Sequence, residues 1–131
     1  MFNVFPLMLI PVVGYALVAY LTGADMTSVI FSLPMVNGEL DLSKGDVLII
    51  LGMVMLFIEL IKSAGSGTAT ILNHGLSMGV FVICMVLFLL VGNFGTAPFF
   101  LITLMALMDT VAGFVVTIVS ARRDLAVGGE A

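Results

Sequence analysis

The chain has no tryptophan, one cysteine, one histidine and four basic residues. Each scarcity removes a class of protein. A single cysteine forms no internal disulfide and no cysteine metal cluster. A single histidine gives no two-histidine haem or zinc site within one copy. Four Lys and Arg residues among 131 are too few for a nucleic-acid-binding stripe or a polybasic lipid tether, so no nucleic acid is expected as a partner. Charge of either sign is scarce: 9% of residues are charged, against about 25% in an ordinary soluble domain. With 62% hydrophobic residues and a mean hydropathy of +1.33, the composition does not furnish a water-facing surface. No stretch is polar enough for long enough to make an extramembrane domain. These absences leave an all-α integral membrane protein, with the lipid bilayer as its surroundings.

A helix crossing the hydrocarbon takes about 20 mainly apolar residues. Four runs qualify, at residues 4–21, 47–63, 69–91 and 97–121, followed by a Gly-rich tail at 124–131. Turn chemistry separates them: Thr22-Gly23-Ala24-Asp25, Lys44-Gly45-Asp46, the Gly- and Ser-rich stretch 63–68, and Gly92-Asn93-Phe94-Gly95. Asp46 reads as a helix N-cap, Pro98 as a first-turn proline and Pro11 as a bend in the first span. The expectation is a four-transmembrane-helix bundle forming one membrane domain over residues 1–131. The first run lacks the Lys or Arg of a signal n-region and is expected to be a retained helix. Lys62, Arg122 and Arg123 fall at one end of alternating spans, while Lys44, between Asp41 and Asp46, falls at the other. The positive-inside rule then puts both termini in the cytoplasm of a bacterial-type inner membrane.

Residues 28–43, between the first two spans, alternate with a period of two. Phe31, Leu33 and Met35 share one face with Leu40 and Leu42, while Glu39, Asp41 and Ser43 take the other. Asn37-Gly38 is a strong two-residue turn signal. A short extracytoplasmic β-hairpin is expected, its apolar face lying on the mouth of the bundle; a re-entrant half-helix over 27–35 is the rival reading.

Ionisable residues within spans are costly and therefore informative. Three stand out: Glu59, His74 and Asp109, with Lys62 and Asn73 close enough in sequence to join them. Asp109 lies mid-way along the fourth span, on a stripe of small residues (Ala106, Ala112, Gly113, Thr117) where a neighbouring backbone can approach closely. It is read as inward-facing, either a proton or cation site or a hydrogen-bonding strut between helices. Lys62 follows Glu59 at i+3, the spacing of an intrahelical ion pair, with the ammonium reaching for water. Asn73 and His74 open the third span at similar depth. If the second and third spans pack as a helical hairpin, His74 meets Glu59. One histidine and two carboxylates make a poor metal set, because Asp109 sits about 10 Å deeper at 1.5 Å rise per residue; neither a metal nor a cofactor is expected. Cys84 reads as an apolar filler, and the ten methionines as packing and lipid contact.

No nucleophile–base order and no phosphate-cradling loop argues for an enzyme. Two readings of function remain. One is a homo-oligomeric channel or permease for protons or small cations, since four helices enclose little volume in a single copy. The other is a non-catalytic accessory or assembly subunit of a larger membrane complex, in which Asp109 and its stripe form a docking face.

Overall fold

The computed structural model describes residues 5–23, 25–63 and 68–130. The order of elements is α1 (Leu9–Leu21), β1 (Val29–Met35), β2 (Gly38–Ser43), α2 (Lys44–Ser63), α3 (Thr68–Leu90), a 3-10 turn (Gly92–Phe94) and α4 (Ala97–Glu130). Residue 4, where the first span is expected to begin, and residues 64–67 of the expected turn lie outside the described residues.

Helix α1 starts later than the apolar run suggests. Leu9 and Ile10 donate to the carbonyls of Pro6 and Leu7, both at 3.0 Å, and the helix begins there. Pro11 therefore falls in the first turn, where its missing N–H would have had no helical partner. It helps start the helix and does not bend its middle. Helix α2 begins with a reciprocal cap: the Asp46 N–H donates to Ser43 Oγ at 3.2 Å, and the Ser43 N–H donates to Asp46 Oδ2 at 3.0 Å. Ser43 is thus the N-cap and Asp46 its third-position partner. Helix α4 runs for 34 residues to Glu130, through the positions expected as a tail.

The two strands pair antiparallel, with Phe31 opposite Leu42, Leu33 opposite Leu40 and Met35 opposite Gly38. One face is accordingly apolar, and the other carries the Ser32–Asp41 and Pro34–Glu39 pairs. The turn sits one residue earlier than the Asn-Gly signal implies, at Val36-Asn37; Gly38, with φ +149°, takes the backbone conformation a side chain would resist. The re-entrant half-helix is not formed. Every residue of β1 is exposed, so the apolar face does not lie on the bundle. Among the described residues, the hairpin is tied at its base, where the Lys44 and Gly45 N–H groups donate to the carbonyls of Ser28 and Met26.

The helices are ordered in space as α1, α2, α4, α3. Helix α4 packs against both α2 and α3, which barely touch each other. The expected helical hairpin of the second and third spans is therefore opened by the fourth. Glycines allow the approach on the α2 side: a Cβ on Gly45 would lie 2.6 Å from Pro98 Cγ, and one on Gly52 would lie 2.8 Å from Met105 Sδ. At the end nearest the 3-10 turn, Tyr15, Phe94 and Phe99 interlock with ring centroids 4.8 to 5.4 Å apart. The Tyr15 hydroxyl meets Asn93 O at 2.8 Å and Thr96 Oγ1 at 2.6 Å, so this buried phenol is satisfied.

Among the described residues, two helical segments are long and apolar enough to cross a membrane: Ile71–Leu90, with mean hydropathy 2.0, and Ala97–Arg123, with mean hydropathy 2.2. Helix α1 has 13 residues, and α2 carries Lys44, Asp46, Glu59 and Lys62 within its 20.

Candidate functional site

Two polar clusters are buried where α2, α3 and α4 converge. The first is built on Glu59, in the last turns of α2 and wholly inaccessible. Its Oε1 accepts the Leu7 N–H at 2.7 Å and the Lys62 ammonium at 3.0 Å, and its Oε2 accepts Asn73 Nδ2 at 2.9 Å. Lys62 also donates to Phe5 O at 2.7 Å and to Asn73 Oδ1 at 3.4 Å. The i, i+3 pair that the sequence offers is made, but Lys62 does not reach for water; its ammonium ties the chain before α1 to α2 and α3. A buried ion pair survives in low dielectric only when its remaining lone pairs and protons are also engaged. The Leu7 amide and the Asn73 carboxamide do that here.

The second cluster lies between α3 and α4. His74 and Ser77, at i and i+3, face the neighbouring helix, His74 against Gly113 and Ser77 beside Asp109 one turn away. The imidazole rests on the backbone of Gly113, where an added Cβ would lie 2.8 Å from His74 Cε1. Ser77 is near enough to Asp109 to act on its carboxyl, as are the charges of Glu59 and Lys62. His74, Ser77 and Asp109 are respectively 4%, 1% and 1% exposed. Both ring nitrogens of His74, the Ser77 hydroxyl and both Asp109 oxygens are nevertheless without a hydrogen-bond partner. Thr110 is buried beside them with its hydroxyl turned back onto Ala106 O at 2.9 Å.

Glu59 and His74, expected to meet, are not hydrogen-bonded to each other, although the Glu59 charge still reaches the imidazole. With α4 between α2 and α3, His74 turns to α4 and leaves Asn73, about 100° away around α3, to reach Glu59. Of the stripe around Asp109, Ala106 and Gly113 are buried, while Ala112 and Thr117 are half-buried and Thr117 donates to Gly113 O at 2.8 Å. Ser77 escapes a reading that singles out charge, although its i+3 spacing from His74 was a usable signal. The Leu7 amide and the Phe5 carbonyl carry no side-chain signal at all. Cys84 is buried in the apolar core. No protein-family model, curated protein or solved structure matches this chain.

Proposed function

We propose that the chain is a multi-pass membrane protein that passes protons or small cations, with the His74–Ser77–Asp109 cluster as its internal binding site. The carrying observation is five polar atoms, buried between two apolar helices, without hydrogen-bond partners. Orphaned buried polar groups cost about 1–3 kcal/mol each, so a fold retains them where they serve a ligand. The membrane reading extends to all four helices because each turns large apolar side chains outward, among them Val13 and Leu17 on α1, Met53 and Phe57 on α2, Leu89 on α3 and Met108 on α4. Lys62 lies in the last turn of α2 and Arg122 at the end of the apolar segment Ala97–Arg123 of α4, on one side of such a bundle, which supports cytoplasmic termini in an inner-membrane orientation. Because the site is flanked by so few helices, a continuous path is assigned to a homo-oligomer. The test is ion conductance of the purified chain in planar bilayers. Conductance lost in Asp109→Asn, with the same gel-filtration profile as wild type, supports the reading; a folded wild type without conductance overturns it.

The second reading, an accessory subunit of a larger complex, is favoured by the hairpin. Its apolar face, with Phe31, Leu33, Met35 and Leu40 exposed, is uncovered by the bundle. Co-purification from native membranes with a defined larger partner, lost when Phe31 and Leu33 are changed to serine, would support that reading over the first.

A further inference from the structure

The oxygens that line the open cluster restrict what it can hold. Resting on the transport reading above, we infer that the species taken is the proton, bound on the Asp109 carboxyl alone. Ser77 is its positioning residue, donating to the charged carboxylate and accepting from the neutral acid. A dehydrated hard cation replaces its water shell with surrounding oxygens, about six for magnesium or calcium. Potassium filters do the same with rings of free backbone carbonyls. The cluster offers three unengaged oxygens, two on Asp109 and one on Ser77. The other open atoms are the two nitrogens of His74, which suit zinc or copper and not hard cations. For those softer ions, no three His, Cys, Asp or Glu side chains among the described residues are arranged as a metal site.

Ser77 differs from the hydroxyls of the helix it faces. A hydroxyl on a helix can satisfy itself by donating to the carbonyl one turn back. Thr103, Thr110 and Thr117 on α4 all do so, at 2.9, 2.9 and 2.8 Å. The Ser77 hydroxyl makes no such bond and stands beside the Asp109 carboxyl, both of them buried. One hydroxyl carries a donor and two lone pairs, so rotation about its C–O bond serves either form of the acid without moving a helix. Loading forms one O–H bond on Asp109 with a proton drawn from the aqueous phase, and release breaks it. Atoms and charge balance with no further reagent. Glu59 and Lys62 act on Asp109 from α2, bound to each other at 3.0 Å as an ion pair. From α3, His74 is seated on Gly113 and makes no hydrogen bond to the carboxyl. Tyr15 of α1 meets α4 at the far end of the bundle, against Phe99 and Thr96.

The full chain is reconstituted in liposomes loaded with a pH-sensitive dye. Imposed potentials should drive acidification at the same rate in sodium, potassium and choline media, and Asp109→Asn should slow it at least tenfold. Infrared spectra taken across a pH titration read the carboxyl itself. Wild type should show the carbonyl band of a protonated carboxyl that fades as pH rises; Asp109→Asn should lack it, and Ser77→Ala should displace it. Should Asp109→Asn fail to fold, isotope-labelled aspartate assigns the band in wild type, and Ser77→Ala carries both measurements, with slower flux expected. Sodium or potassium flux without acidification in choline would overturn the proton assignment and leave transport standing. Acidification with no protonated aspartate at any pH would overturn Asp109 as the carrier. A band that Ser77→Ala leaves in place would overturn the role of Ser77. No flux of any of these ions through folded wild type would overturn the transport reading itself.

Discussion

Glu59 and Asp109 are both buried carboxyls in one small bundle, and their surroundings are opposite. Glu59 is met by a backbone amide, an ammonium and a carboxamide. Asp109 has the Ser77 hydroxyl beside its carboxyl across the helix interface, short of a well-formed hydrogen bond. The first arrangement is what a fold builds to hold itself together: two helices, α2 and α3, and the segment before α1 meet on one side chain. The second gives the fold little, and its exchangeable protons remain available. A buried carboxyl is thus not informative by burial alone; its partners say whether it is a strut or a site.

The largest expected effect falls on the closed cluster. Glu59→Ala strands the Lys62 ammonium and the Leu7 amide, and should lower stability by about 3 kcal/mol, the lower end for breaking a buried pair. Unfolding in mixed micelles measures it, and Glu59→Ala/Lys62→Ala should recover part of the loss. If Glu59→Ala were silent, the contrast between the two clusters would collapse. Next comes Gly113→Ala, whose methyl would run into the imidazole; about 1–3 kcal/mol should be lost as the ring is displaced. Adding His74→Ala should relieve the strain, and an undiminished penalty in the double variant would mean that the ring is not seated on Gly113.

Tyr15→Phe extends the contrast to the other end of the bundle, where the polar group is also satisfied. Losing the contacts to Asn93 O and Thr96 Oγ1 should cost about 1 kcal/mol, with ion flux unchanged. The smallest effect belongs to Asp25, outside the spans and fully exposed. Hydrogen bonds from the Thr27 hydroxyl, the Thr27 amide and the Ser28 hydroxyl hold its pKa at about 2, below the ordinary 3.8. Because the folded value is depressed, its contribution is fully present above about 3.8 and is lost as pH falls through about 2. Asp25→Asn should therefore flatten a slight decline in stability across that interval. An unaltered acid profile would show that these hydrogen bonds do not persist in solution.

Local chemistry made much of this architecture legible in advance. Turn residues marked the breaks between helical runs, period-two alternation marked the hairpin and its apolar face, and the spacing of Glu59 and Lys62 marked their pair. The small-residue stripe pointed to the burial of Asp109. What escaped was decided at long range. A short connection between α2 and α3 says that they are neighbours in sequence, but not that α4 comes between them, and that single fact redirects His74 from Glu59 to Gly113. Pro11 misled for a related reason: the apolar run is continuous across residues 4–21, and only the turn at Pro6 and Leu7 shows where the helix begins. Lys62 misled because its principal partners, apart from Glu59, include a main-chain carbonyl that no sequence pattern announces.

The central claim is that the open cluster is kept for its chemistry and not for stability. Its most direct test is the unfolding free energy of Asp109→Leu beside wild type in the same micelles. Replacing an orphaned polar group by an apolar one of similar size is close to neutral or stabilising. The account therefore predicts a variant within about 1 kcal/mol of wild type, or more stable. A loss of about 3 kcal/mol, matching that expected of Glu59→Ala, would show that Asp109 is a second strut and would contradict the claim.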